Sequence, residues 1–436
     1  MNMKQLRKVI IIFCWFLAWA LVSRIIQNKI LLAGPVETLQ ALGRMVSTSS
    51  FWAACGGTIL RIAVGYLAGM LLGILLASVS AGRFWMEEML APVITLMKAV
   101  PVASVVVIFL IWWGSGNLGI AISFFMAMPN FYLNTLEGIR STDVKKLEMA
   151  KVFAMPRRNK FFYIYRPALR PFWDSAIKLS VGMSWKAGVA AEVIGLPAKA
   201  IGEQLYMSKI YLETDKVFAW TLVIILLSQL FEKLCLKLWA VFAACEPGCK
   251  SVAYEAKTES KSLHLKGISV SYGEKQVLQN FSATYEPDKR YVLDSPSGSG
   301  KTTLLRVIAG LTGSDAGTVE TGNQKVGMLF QEDRLCEEYS ALKNVELVAV
   351  SRSAAKEHLL QLLEEEDIYK PCNELSGGMK RRVALARAFA SGADILLLDE
   401  PYNGLDEENR IRVAHYIEKN GRGKVMIMAS HIGTKA

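Results

Sequence analysis

Long apolar runs such as LRIAVGYLAGMLLGILLA (60–77) recur through the first 244 residues and are absent from the rest of the 436-residue chain. A run of about 20 mostly apolar residues is the length that crosses a bilayer as a helix. A chain built this way has to place its two halves in different solvents. Candidate spans lie near 8–24, 52–79, 90–113, 117–136, 172–195 and 217–239, with Pro101 expected to break the third near its middle and Pro129 the fourth. An even count of six returns the chain to its starting side, and Lys4, Arg7 and Lys8 place that side in the cytoplasm. The loop Gly138–Arg170, with Arg140, Lys145, Lys146, Lys151, Arg157, Arg158 and Lys160, then also faces the cytoplasm. The expectation is a multi-pass protein of the cytoplasmic membrane, embedded in lipid, with both termini inside.

Composition supports the division. Hydrophobic residues make up 52% against 20% charged, and the mean hydropathy is +0.28. The net charge of +11 would also suit nucleic-acid binding, but no aromatic-basic motif accompanies it, and positive cytoplasmic loops account for it. Nucleic acid is excluded as a partner. The seven cysteines show no disulfide spacing. Cys245 and Cys249 in CEPGC have no second pair to complete a zinc site, so they are expected to be free thiols. The apolar N-terminus has a basic start and is followed by further apolar spans, and reads as a retained helix. Gly65, Gly69 and Gly73 fall every four residues, a seam that lets a neighbouring helix approach.

The organisation expected is a transmembrane helical domain over 1–244, a polar Pro/Gly/Ser linker over 245–262, and an α/β domain over 263–436. The second half carries the chemistry. YVLDSPSGSGKTT (291–303) reads as a strand, a small-residue loop and a helix start, the layout of a phosphate-binding loop. Backbone N–H groups at a helix N-terminus cradle anions. Ser297, Gly298, Ser299, Gly300, Lys301, Thr302 and Thr303 are the candidate ATP contacts, with Lys301 on the β- and γ-phosphates and the Thr302 hydroxyl on Mg²⁺. Ser295 replaces the first glycine of the pattern, which removes one conformationally free position. Gly298 and Gly300 remain, and nucleotide binding is expected to survive.

ILLLDEP (395–401) reads as a buried parallel strand delivering two acids to its C-terminal edge. Asp399 is placed to hold Mg²⁺ through water. Glu400 is placed to act as general base on the attacking water.

LSGGMKRRVALARA (375–388), in the right order between these motifs, resembles the signature of ATP-binding cassette (ABC) ATPases, and the resemblance runs from about 263 onward. It implies a head-to-tail dimer in which Ser376, Gly377 and Gly378 close over the nucleotide of the partner. It also implies that Tyr272 stacks on adenine, Gln331 senses Mg²⁺ and water, Asp406 links the two sites, and His431 contacts the γ-phosphate. Met379 stands where the family usually has Gln, and Ile432 where Asp commonly follows the histidine. The sequence reaches only Ala436, so the closing helix of the family is expected to be missing or supplied elsewhere.

LEMAKVFAMPRRNKFFYIYRP (147–167) resembles the E-A-A loop of binding-protein-dependent permeases: Glu148, Ala150, Ala154, Ile164 and Pro167 keep its spacing, with Met149, Ala154 and Arg166 departing in identity. In that family the loop docks beside the Gln331 segment of an ATPase, here in the same chain or in a copy. RIAVGYLAGMLLGILLA, KAVPVASVVVIFLIWWGSG and AAEVIG resemble permeases of the nitrate, sulfonate, taurine and bicarbonate importers, a group that includes carriers of thiamine-pyrimidine precursors. Ionisable residues inside spans mark candidate solute paths: Lys186 and Glu192, with Lys98 behind them.

The fold class expected is thus a membrane all-α permease followed by an α/β P-loop ATPase. The function expected is ATP-driven import of a small anionic or polar solute, with an external binding protein, by a homodimer or a heterodimer with a related chain. Two rivals are an exporter, for which long cytoplasmic helical extensions are wanting, and a membrane-anchored regulatory ATPase that moves no solute.

Overall fold

The computed structural model describes residues 3–28, 30–251, 261–296 and 298–430. It divides into two compact units. One is formed by Met1–Ser141 with Ala168–Cys245, the other by Thr142–Pro167 with Glu246–Ala436.

The first unit is helical: Met3–Ile26, Pro35–Val46, Ser49–Ser80, Phe84–Ala99, Val102–Arg140, most of Arg166–Gly195, Ile201–Ile210 and Thr214–Ala244. Among the described residues, three helices are long and apolar enough to cross a membrane: Ser49–Ser80, Val102–Arg140 and Thr214–Ala244. Met3–Ile26 carries a shorter apolar stretch, Phe13–Ile26. Leu60, Leu71 and Leu75 stand at least 60% exposed on the first of the three long helices. Such an apolar outer face suits contact with lipid chains.

The spans expected at 90–113 and 117–136 divide differently. One helix ends at Ala99, Val100 and Pro101 are non-helical, and the next runs from Val102 to Arg140 with its one non-helical residue at Gly114 (φ +70°). Pro101 therefore separates two helices, and the break that parts the aromatic end of the old third span from the fourth falls at a glycine. Pro129 does not break its helix. It is buried where that helix packs on Ser49–Ser80, and this packing outlasts one missing N–H. The glycine seam is the reason the two helices lie so close. A methyl group at Gly65, Gly69 or Gly73 would come within 2.1, 2.8 and 2.6 Å of the carbonyl oxygens of Ile120, Phe124 and Met128.

Among the described residues, the second unit holds seven strands: β1 (Leu263–Tyr272), β2 (Lys275–Tyr285), β3 (Arg290–Asp294), β4 (Ala316–Glu320), β5 (Val326–Leu329), β6 (Ile395–Asp399) and β7 (Val425–Ser430). They form an antiparallel sheet in the order β2-β1-β4 and a parallel sheet in the order β3-β7-β6-β5. Every residue of β6 is buried, as a central parallel strand covered on both faces requires. Helices Lys301–Ile308, Gly377–Ala390 and Glu407–Asn420 belong to this unit. Two short helices, Ala341–Glu346 and Arg352–Leu360, fill the brief stretch between Gln331 and Ser376. Met149, Phe153 and Ile164 share one hydrophobic core with Leu304, Leu329 and Leu397, so residues 142–167 fold as part of this unit.

Candidate functional site

The parallel strands end at one edge, and the groups expected to bind nucleotide collect there. β3 runs into the loop, and Gly298 (φ +83°) and Gly300 (φ +89°) take the left-handed conformations that turn the chain into helix Lys301–Ile308. Ser295 is not in that region of φ, so the absence of a glycine there imposes no strain. Gly298, Gly300, Lys301, Thr302, Thr303, Gln331, Asp399 and Glu400 together line a cavity of about 300 Å³. Ser297 and His431 lie outside the described residues.

Within the cavity, the Thr302 Oγ1 donates to Asp399 Oδ2 at 3.0 Å. A hydroxyl and a carboxylate converging in this way form the hard-oxygen pair that suits Mg²⁺. Burial pushes the Asp399 carboxyl above its usual range, and the Thr302 hydrogen bond works against that. Lys301 Nζ donates to the carbonyls of Ser295 and, at 3.0 Å, Ser430. Those carbonyls hold the ammonium at the mouth of the loop. Glu400 sits at φ +52°, a costly conformation for a non-glycine residue, with its N–H donating to Ala429 O at 3.0 Å and its Oε2 accepting from Asn403. Backbone outliers of this kind recur where a side chain must be aimed.

Tyr272 is half exposed at the end of β1. Ser376 caps helix Gly377–Ala390, its Oγ accepting from Met379 N at 3.3 Å. Ser376, Gly377 and Gly378 do not line the cavity. Asp406 caps the next helix through Asn409 N at 2.9 Å.

The second constellation surrounds the 142–167 segment. Helix Val144–Val152 presents Glu148 to two arginines: Arg306 Nη2 to Oε1 at 2.6 Å and Nη1 to Oε2 at 3.1 Å, and Arg334 Nη1 to Oε2 at 2.7 Å. Arg306 lies on the helix that starts at Lys301, and Arg334 follows Gln331 by three residues. Hydrogen bonds from Arg306, and then from Arg334, hold the Glu148 carboxyl below its usual range. Lys151 Nζ donates to Gly310 O at 2.7 Å just beyond the same helix, and Lys145 pairs with Glu332 at 2.7 Å. Ala154 has φ +45°, the left-handed turn for which its position resembles a glycine. Ala150 and Ile164 are buried in the core, and Pro167 opens the run into helix Arg166–Gly195.

Two arginines of helix Gly377–Ala390 complete the frame. Arg381 donates to the carbonyls of Phe330, Gln331, Asp399 and Glu400, tying the Gln331 segment to the end of β6. Arg387, fully buried, donates to the carbonyls of Asp333 and Arg334 and lies 5.7 Å from the Phe153 ring. Sequence reasoning passed over Arg306, Arg334, Arg381 and Arg387. Arg381 and Arg387 have one visible signal, the run of basic residues at the signature helix; Arg306 and Arg334 have none in their own segments.

Of the residues proposed for a solute path, Lys186 is exposed on its helix. Glu192 is fully buried, accepting from Thr58 Oγ1 at 2.7 Å and lying 3.5 Å from Arg61. Arg61 also donates to Ala198 O and Gly116 O. Lys98 borders a cavity of about 360 Å³ with Glu87, Thr95 and Tyr132. The structure does not bring the three together.

Known proteins resemble both halves. A family profile described as "ABC transporter" matches residues 278–403, and one described as "binding-protein-dependent transport system inner membrane component" matches 69–233. An aliphatic sulfonates import ATP-binding protein of Rhodococcus jostii is 40% identical over 37% of this chain and 69% of its own length. One from Paraburkholderia xenovorans is 38% identical over 36% of this chain and 48% of its own. A sulfate/thiosulfate import ATP-binding protein of Shewanella oneidensis is 35% identical over 36% of this chain and 47% of its own. The chain thus spans between about half and two thirds of the length of the curated relatives it matches.

Proposed function

The chain belongs to the ABC transporter family, as a binding-protein-dependent permease joined to its ATPase, and from that premise we propose that it imports a small anionic or polar organic solute, sulfonate-like in chemistry, at the expense of ATP. The sulfonate and sulfate importers among its relatives support that solute class. One chain supplies one permease half and one cassette, and two copies complete the transporter, with the ATPase on the cytoplasmic side.

The observation that carries the reading is the Glu148 clamp: one carboxylate on the permease-type loop grips both the helix leaving the phosphate loop and the segment following Gln331.

In the reaction, the N–H groups of residues 298–303 and the Lys301 ammonium receive the phosphates. Lys301 gives up its bonds to Ser295 O and Ser430 O for phosphate oxygens, which match its charge better. Mg²⁺, held by Thr302 and through water by Asp399, would supply charge neutralisation on the phosphates. Gln331 positions the attacking water and Glu400 accepts its proton. Ser376, Gly377 and Gly378 of one copy close over the nucleotide of the other. Movement of helix Lys301–Ile308 and the Gln331 segment on closure reaches Glu148 directly, and the permease helices follow from both ends of the 142–167 segment.

The test is ATP hydrolysis by the protein in lipid discs, wild type against Glu400→Gln, followed by uptake of an alkanesulfonate into vesicles with its binding protein. Loss of a general base lowers turnover by about 10²-fold or more. Hydrolysis unaffected by Glu400→Gln, or hydrolysis with no solute moved by any binding protein tried, overturns the reading.

A further inference from the structure

The stretch that enters the cassette is bound to the loop that serves it. Asn159 is fully buried, and its amide is matched to the main chain of Lys250: Oδ1 accepts from Lys250 N and Nδ2 donates to Lys250 O, each at 2.9 Å. Its other amide hydrogen reaches Leu347 O at 3.0 Å. One turn on, the Tyr163 hydroxyl donates to Pro247 O at 2.5 Å, and the buried Tyr163 ring meets Tyr339 edge-on at 5.0 Å. Cys249 packs on the same core. An amide whose two ends both pair with one residue's backbone acts like a neighbouring strand, and burying it makes those bonds costly to break. Asn159 thereby joins three pieces: the 142–167 segment, the linker and the cassette.

We infer that residues 246–250 are a strap that decides which cassette each Glu148 segment serves, namely that of its own chain. The inference rests on the dimeric transporter proposed above, in which either copy could have gripped either segment. Nine residues lie between Ser251 and Lys261, ten Cα–Cα steps that span at most about 35 Å. With the strap fixed at Asn159 and Tyr163, that tether starts beside the cassette surface formed by Tyr339, Lys343 and Leu347.

The Lys145–Glu332 pair, exposed on both sides, reports the pairing without touching the strap or the Glu148 clamp. Two full-length chains with different tags are co-expressed, one Lys145→Cys and one Glu332→Cys, each with the exposed Cys14 and Cys245 changed to Ser. Complexes purified through both tags are treated with a short bis-maleimide, beside a chain carrying both substitutions. Retained binding of a fluorescent ATP analogue confirms that each variant is folded. A cross-link within the doubly substituted chain and none between tags is expected. A cross-link between tags overturns the inference, and so does none in either sample. Tags that fail to co-purify overturn the dimer and the inference with it. A cross-link within one chain in a protein that moves no solute sinks the transport reading alone.

The strap itself is read by hydrogen exchange. Asn159→Ala should speed exchange at the Lys250 amide at least about tenfold, while amides of β6 stay protected. Unchanged exchange at Lys250 removes the strap.

Discussion

Glu148 Oε1 lies 2.6 Å from Arg306 Nη2, on the helix that begins five residues earlier at Lys301. A carboxylate so placed has two functions at once. It neutralises a guanidinium in a partly buried site, and it ties the phosphate-binding loop to a segment whose two ends continue into the apolar helices. Charge-assisted, two-pronged pairing of this kind resists sliding better than an apolar contact of equal area.

Glu148→Gln is therefore expected to leave ATP binding within about twofold while abolishing stimulation of hydrolysis by a loaded binding protein. The glutamine keeps one accepting oxygen but turns an NH₂ donor toward the arginines and carries no charge to balance them, and loss of a charged hydrogen bond costs about 1.5–3 kcal/mol. Stimulated and basal turnover in lipid discs check it. Stimulation equal to wild type would show that the clamp does not transmit.

The same pair has a pH signature. Arg306 holds Glu148 below its ordinary carboxyl range, so the folded value lies under the unfolded one. The docking it supports is fully present above the unfolded value near 4.5 and is lost as pH falls through the lower folded value. Hydrogen exchange at the amides of helix Val144–Val152, corrected for the intrinsic effect of pH on exchange, should keep its protection from pH 8 to about 5 and lose it below that. In Glu148→Gln this acid limb should disappear.

Arg387 offers a test of the cassette's interior. Burial draws its guanidinium down to about 10, and its bonds to the carbonyls of Asp333 and Arg334 keep it charged at neutral pH. Arg387→Lys keeps the charge but cannot reach both carbonyls from one point, so about 2–3 kcal/mol of stability should be lost. Chemical denaturation followed by tryptophan-independent probes of the cassette, such as nucleotide-analogue release, measures it. A loss under about 0.5 kcal/mol would mean that the Phe153 contact carries the packing alone.

How much of this could be read beforehand depends on the range of the interactions. The phosphate loop, the acids Asp399 and Glu400 and the spacing of the Glu148 segment are local patterns, each visible within a short window of the sequence. Arg306, Arg334 and Asn159 gain their meaning only from residues more than 90 positions away, so no window along the chain could single them out. Hydropathy located apolar stretches but not all of their breaks: Pro101 marks the interruption at Val100–Pro101, whereas the one at Gly114 lies unmarked inside equally apolar sequence, and Pro129, which looked like a break, is absorbed by packing. Glu192 is visible in the sequence as an ionisable group within a span, but its partners, Thr58 and Arg61, come from another helix.

The glycine seam gives the sharpest contrast between two single-methyl changes. At Gly65 a Cβ would stand 2.1 Å from the Ile120 carbonyl oxygen, a backbone atom that can move only if the whole helix moves. At Gly182 nothing lies within 4 Å. Gly65→Ala should therefore force apart the Ser49–Ser80 and Val102–Arg140 helices, lose contacts along the seam, and lower the melting temperature in detergent by several degrees or prevent accumulation of folded protein. Gly182→Ala adds a methyl to a helix with room for it and should match wild type or exceed it slightly, since alanine is the better helix former by roughly 1 kcal/mol. Size-exclusion profiles and thermal melts of the two variants decide the matter. Equal stability would mean that the two helices are not locked at the seam, and the close approach at Gly65, Gly69 and Gly73 would no longer explain why glycines occupy those positions.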